Sequence, residues 1–252
     1  MNKYAKVKFN NQIKWIEFYN DEIFFMEGDP LDNDFKRGQV IDEDLKFDYL
    51  APSNPSKVIG VGWNYKDLVG QRESYPEPIV FLKSPSSVCP HKSVIKLPNF
   101  VEKVWVETEL VIIIGKQCQN VSKNDASKYI LGYTIGSDIT ALNIHDRDWH
   151  LARSKAFDNF APIGPYLVKN INTDNLNLKS EINDEEAQSG NTNDMILKDY
   201  ELISLISSIM TLMPGDIIFT GTPARATEAL VVSGDKVKHE VDKLGCLDFE
   251  VI

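Results

Sequence analysis

A chain of 252 residues, 42% of them hydrophobic and 25% charged, is long enough to bury a sizeable core in one large globular unit, with room for a small appendage. Its formal charge of -10 and pI near 4.9 offer no basic stripe to neutralise phosphates. Nucleic acid and anionic membrane surfaces are therefore excluded as partners, and a small anionic substrate is admitted only where local cations reverse the field.

From the amino terminus, Val7, Phe9, Ile13, Trp15, Ile16, Phe18, Ile23 and Phe24 alternate loosely with polar residues and are separated by Asn-Asn and Asn-Asp turn signals. Two or three short antiparallel strands are expected. An acidic stretch follows and ends in Ala51-Pro52-Ser53-Asn54-Pro55, where paired prolines mark a boundary near Pro52. The organisation expected is a small N-terminal β-rich domain over 1–52 and a larger domain over 53–252. Lys57-Val58-Ile59-Gly60-Val61-Gly62 reads as a strand, Trp63-Asn64-Tyr65 as a turn into a short polar helix or loop, and Ile79 to Lys83 as a strand that delivers a lysine. That lysine either reaches out to water or clamps an anion.

The run Trp105-Val106-Glu107-Thr108-Glu109-Leu110-Val111-Ile112-Ile113-Ile114-Gly115 is apolar and β-branched, as expected of a strand buried on both faces. Side chains alternate along a strand, so Glu107 and Glu109 share a face. Two neighbouring buried carboxylates are costly unless something compensates them, and a hard divalent ion with oxygen ligands is the simplest compensation. The alternative is an edge strand showing both glutamates to water. A third carboxylate, Asp138, closes the later strand-like run Gly132 to Asp138.

Ser122 to Ile130 reads as a short capped helix, because an acid lies three residues after the serine. Thr140 to Arg153 is a polar stretch containing Asn143 and His145, and a mobile polar helix is expected there. Ser154 to Pro165 is too rich in Pro and Gly to be helical. The polar residues 170–194 suit surface hairpins, and Leu202, Ile203, Leu205, Ile206, Ile209 and Met210 recur at helical spacing up to Pro214-Gly215. Ile217 to Phe219 is a further buried strand, and strands near Val231, Val237 and Phe249 close the chain. Cys89, Cys118 and Cys246 form no Cys-x-x-Cys pair, and neither a signal-like start nor a membrane-length apolar run is present. Reduced thiols and a cytoplasmic location are expected.

Six of these segments, in this order, resemble the fumarylacetoacetate hydrolase family. They are Gly62-Trp63-Asn64-Tyr65, Phe81-Leu82-Lys83-Ser84-Pro85, Glu107-Thr108-Glu109-Leu110, Gly132-Tyr133 with Ser137-Asp138, Lys155 to Pro165, and Pro214-Gly215-Asp216 through Thr220-Gly221-Thr222-Pro223. The resemblance covers about Lys57 to the carboxyl end. It implies a mixed α+β, mainly β fold with a rolled β-sheet core and few covering helices, a homodimer, and Mg²⁺ or Mn²⁺ held by Glu107, Glu109 and Asp138. Lys155 matches the family's active-site lysine and Thr222 its carboxylate-holding threonine. Asn64, Tyr65 and Lys83 fall in motifs near the substrate.

The chemistry so implied is polarisation of a 2-oxo acid and stabilisation of its enolate, which serves C–C hydrolysis of acylpyruvates, decarboxylation of a β-keto acid such as oxaloacetate, and keto-enol or double-bond isomerisation of hydroxy-dienoates. Hydrolase members place a His and a Glu where this chain has Leu68 and Gln71, and neither of those residues accepts a proton at neutral pH. The expectation therefore moves from hydrolysis toward decarboxylation or tautomerisation, with hydrolysis, or binding without turnover, as the alternatives. Many relatives carry an Arg and a Gln where this chain has Leu142 and His145. His145 is a candidate proton shuttle, its other reading being a surface histidine.

Overall fold

The computed structural model describes residues 1–32, 34–41, 45–69, 77–143 and 148–252. The chain is mainly β with few helices. Its largest sheet runs through Lys36–Ile41, Glu22–Glu27, Gln12–Tyr19, Asn2–Phe9, Ala161–Lys169, Ile130–Ser137, Thr108–Ile114, Ile217–Phe219, Val58–Gly62 and Ile79–Lys83 in that spatial order. A five-stranded sheet (Glu185–Asn191, Asn177–Ile182, Lys236–Val241, Gly245–Val251, Val94–Ile95) packs against it, and a small three-stranded sheet joins Thr140–Ala141, Val104–Trp105 and Leu230–Val231.

The first strands form where the sequence signals them. Asn10-Asn11, Asn20-Asp21 and Asn183-Asp184 all carry positive φ, the conformation of a two-residue hairpin whose twist matches its flanking strands. The first of those strands continues into the main sheet, because Asn2 to Ala5 pair with Lys169 to Tyr166.

Thr108–Ile114 is buried at all seven positions, as its unbroken apolar run requires. Leu110, Ile112 and Ile114 pack with Leu178, Val241 and Leu247 of the second sheet and with Leu202, Ile203 and Ile206 of the helix Asp199–Ile209. Val111 and Ile113 face the other way, against Ile163, Ile217 and Phe219. This central strand is therefore held from both sides.

Three local expectations are corrected. Ser122 caps no helix: its hydroxyl bonds Asp125 Oδ2 at 2.8 Å, and a single 3₁₀ turn at Ala126–Tyr129 leads directly into the next strand. The stretch from Thr140 to Arg153 opens as the short strand Thr140–Ala141, and the helical turn Ala152–Lys155 takes in the first two residues of the segment read as non-helical. Beyond that turn the Pro-rich run becomes the strand Ala161–Lys169, whose first residues, Ala161 to Ile163, lie parallel to Val88–Pro90. Asp216 of the Pro-Gly-Asp motif is a structural clamp: Oδ1 accepts from Ser56 N, Ser56 Oγ and Lys57 N, and Oδ2 from Met213 N. Cys89, Cys118 and Cys246 are free thiols. No helix among the described residues is long and apolar enough to cross a membrane.

Candidate functional site

The antiparallel ladder between Thr108–Ile114 and Ile130–Ser137 sets Thr108 opposite Ser137 and Glu109 opposite Gly136, and Asp138 N–H extends it to Glu107 O at 3.0 Å. Glu107 lies just ahead of the regular strand rather than inside it. Alternation sends Glu109 to one face, and the chain ends on either side bring Glu107 and Asp138 to meet it. Carboxylate oxygens of the three residues lie within 4.8 Å of one another. They share the wall of a cavity of about 280 Å³ with Lys155, Thr222 and the apolar side chains of Val61, Leu68, Phe81 and Trp105.

Each carboxylate has a different environment. Trp105 Nε1 and Thr140 Oγ1 donate to Glu107 Oε1 at 2.7 and 3.0 Å, and Lys155 Nζ donates to Oε2 at 2.9 Å. Asp138 accepts Lys83 Nζ on Oδ1 and Lys155 Nζ on Oδ2, both at 2.5 Å. Glu109, 2% exposed, accepts the Gly221 N–H on Oε2 at 2.6 Å and has no ion pair among the described residues. Burial raises the Glu109 carboxyl well above its ordinary range, and the charges of Asp138 and Glu107 add to that. Burial also raises Glu107, against the pull of Lys155. For Asp138 burial acts upward too, but Lys155 and Lys83 outweigh it and hold the carboxyl low. Burial would lower Lys155, yet Asp138 and Glu107 keep its ammonium charged.

Three carboxyl groups against two buried lysines leave Glu109 without an ion pair among the described residues. An all-oxygen donor set with that excess fits a hard divalent cation such as Mg²⁺ or Mn²⁺, and Glu109 would be its least compensated ligand.

The residues singled out in the sequence fall into three groups. Glu107, Glu109, Asp138, Lys155 and Thr222 converge on the cavity, and Leu68 lies on its wall. Lys83, Asn64 and Tyr65 do not line it. Lys83 is buried behind Asp138 and also donates to Ile139 O at 3.2 Å. Asn64 spends its amide on the backbone, with Nδ2 donating to Leu197 O and Thr220 O and Oδ1 accepting Leu197 N–H. In doing so it pins the turn that carries Gly221, whose φ of +100° and close approach to Asn64 Cβ require glycine. Tyr65 sits wholly inside the core, its hydroxyl without a hydrogen bond among the described residues. His145 and Gln71 lie outside the described residues.

Two supports escaped the sequence reading. Thr108, between the two glutamates, bonds His239 Nδ1 through Oγ1 at 2.5 Å, and His239 Nε2 bonds Ser137 Oγ at 2.9 Å, so one ring ties the strands on which the ligands sit. Gln188, buried on the polar hairpin strand Glu185–Asn191, bonds Thr108 N and Thr222 Oγ1. A histidine in Lys-Val-Lys-His-Glu and a glutamine in Glu-Glu-Ala-Gln-Ser look solvated in sequence. Their burial is a property of the second sheet.

Burial lowers His239 to about 3, so the folded protein keeps it neutral while the unfolded chain protonates near its ordinary value. Protons then favour the unfolded state: this residue's contribution to stability is whole above pH ~6.5 and declines as the pH falls toward ~3. Between about pH 7 and 5 it removes about 2 kcal/mol. Urea unfolding at the two pH values should show that loss in the wild type and a decline smaller by that amount in His239→Gln.

Known proteins resemble this chain over most of its length. Residues 57–252 match the family model described as fumarylacetoacetate (FAA) hydrolase, C-terminal. An uncharacterized protein of Methanocaldococcus jannaschii is 44% identical over 195 residues, 77% of this chain and 81% of its own length. Human oxaloacetate tautomerase FAHD2A, mitochondrial, is 38% identical over 224 residues, 81% of this chain and 69% of its own. Among solved structures, 5-carboxymethyl-2-hydroxymuconate delta-isomerase from Mycobacterium smegmatis superposes with a TM-score of 0.89 at 30% identity, covering 99% of both chains.

Proposed function

The chain belongs to the fumarylacetoacetate hydrolase family, and we propose that it is a divalent-metal-dependent tautomerase or isomerase of small 2-oxo and 2-hydroxy-enoate acids, with oxaloacetate as the first candidate substrate. One observation carries this reading: Glu107, Glu109, Asp138 and Lys155 gather at a cavity whose wall holds the apolar Leu68 where the family's hydrolases carry a water-activating His.

Glu107, Glu109 and Asp138 would hold Mg²⁺ or Mn²⁺, which would supply a Lewis acid for the keto group of a 2-oxo acid. Lys155 Nζ sets a second positive charge at the same end of the cavity, where it stabilises the enolate oxygen and can pass that oxygen a proton. Thr222 Oγ1 hydrogen-bonds the substrate carboxylate. Tautomerisation moves one proton between carbon and oxygen and consumes no water, so walls built from Val61, Leu68, Phe81 and Trp105 suit it by keeping water out. Lys83 acts one layer back by orienting Asp138, and Asn64 by holding the Gly221 turn. We assign the proton at carbon to His145, and His145→Ala should lower kcat by about 10²- to 10⁴-fold.

The test follows the decay of enol-oxaloacetate and the isomerisation of 2-hydroxy-dienedioates by absorbance in chelator-treated protein, before and after Mg²⁺ is restored. Metal-dependent acceleration of either is expected. Fast metal-dependent cleavage of an acylpyruvate with neither of those activities would overturn the assignment in favour of hydrolysis. Tight oxalate binding without turnover of any of them would make the chain a binding protein.

A further inference from the structure

We propose that Gln188 is a positioning residue that sets the Thr222 hydroxyl as a hydrogen-bond donor to the substrate carboxylate, an assignment that rests on the 2-oxo acid reading above. Its neighbours Glu185, Glu186 and Ser189 are exposed, whereas Gln188 is 1% exposed and points at the Thr222 turn. The direction of its amide follows from its partners. Pro223 O at 2.8 Å and Ala224 O at 3.3 Å can only accept, so the NH₂ group must face them, and the Thr108 N–H can only donate, so Oε1 must face it at 3.3 Å.

The same NH₂ lies 2.9 Å from Thr222 Oγ1, which therefore accepts from Gln188. The single hydroxyl proton of Thr222 is left to point toward Thr108 O, 3.1 Å away, or to a ligand in the cavity that Thr222 lines. A hydroxyl that already accepts one hydrogen bond donates the next more strongly. The turn has no freedom to move away. Gly221 N–H is bonded to Glu109, and a side chain at Gly190 would come within 2.4 Å of Pro223 Cβ, so the hairpin carrying Gln188 lies flat against the turn. Gln188 thus joins the backbone between Glu107 and Glu109 to the group that faces the substrate.

The experiment is calorimetric titration of oxalate, a 2-oxo acid mimic, into Mg²⁺-loaded protein, with KM and kcat measured alongside. Gln188→Met keeps the length and adds no charge beside the carboxylates. It should weaken oxalate about tenfold or more and raise KM by a similar factor, while kcat and Mn²⁺ affinity change by less than about threefold. Thr222→Val should weaken oxalate likewise, and adding Gln188→Met to it should have no further effect, as expected if one residue acts through the other. If Gln188→Met does not melt cooperatively, Gln188→Glu replaces it in the cycle, since a carboxylate can no longer donate to Thr222. Unchanged oxalate affinity, or equal and additive losses in the cycle, would overturn the role of Gln188 alone. Wild-type protein that ignores oxalate in the presence of Mg²⁺ would overturn the functional reading, and this assignment with it.

Discussion

Glu109→Gln should abolish metal-dependent turnover and, in the same protein, raise the melting temperature of the metal-free form. The two effects have one cause. Glu109 is buried among like charges, with Asp138 and Glu107 beside it, while both nearby ammonium groups are bonded to Asp138 rather than to it. Its one hydrogen bond among the described residues comes from Gly221 N–H, and a glutamine oxygen can accept that equally well. The substitution therefore removes a poorly compensated buried charge while keeping shape and hydrogen bond, a stabilisation of about 1–3 kcal/mol without metal. It also removes an anionic ligand from a three-carboxylate set. A loss of at least roughly 10³ in kcat/KM is expected, about 4 kcal/mol of transition-state stabilisation. Calorimetric melting with and without Mg²⁺ checks both halves: the wild type gains a metal-dependent shift, and the variant starts higher and gains none. A variant that melts lower than wild type in chelator would show that Glu109 is already compensated in the metal-free fold.

Lys155→Met should give the opposite sign on stability and the same sign on activity. The ammonium lies between Glu107 Oε2 at 2.9 Å and Asp138 Oδ2 at 2.5 Å, in a site where all three groups are largely removed from water. Taking away one member of a buried ion cluster leaves its partners charged and unpaired, which costs about 3–5 kcal/mol. Added Mg²⁺ should restore part of that loss by supplying positive charge to the same carboxylates. Activity should stay down by roughly 10³-fold even at saturating Mg²⁺, because the dication does not replace a proton donor at the enolate oxygen. Denaturant midpoints in chelator and in Mg²⁺, with enol-oxaloacetate decay as the second readout, separate the two contributions. Full recovery of turnover by Mg²⁺ would reduce Lys155 to a counter-ion.

The pair Glu109→Gln and Lys155→Met distinguishes a site built to hold a cation from an ordinary buried salt-bridge cluster. In an ordinary cluster each substitution strands a partner, and both variants lose stability. Here the carboxylates exceed the ammonium groups, and removing the surplus member should help the metal-free chain.

Local chemistry by itself determined much of this protein. The Asn-Asn and Asn-Asp punctuation set the hairpins, the unbroken apolar run set the central strand, and the Glu-x-Glu spacing with Asp138 at the next strand's end named the carboxylates that meet. Strand periodicity and turn conformation are fixed within a few residues, so they are legible there. Tertiary structure decided what depends on which sheet covers which. It buried Lys83 behind Asp138, turned Asn64 into a clamp for the Gly221 turn, and converted two solvated-looking residues, Gln188 and His239, into the inner supports of the site. Whether a polar side chain meets water or a partner across a core is settled by residues distant in the chain, and no local pattern records it.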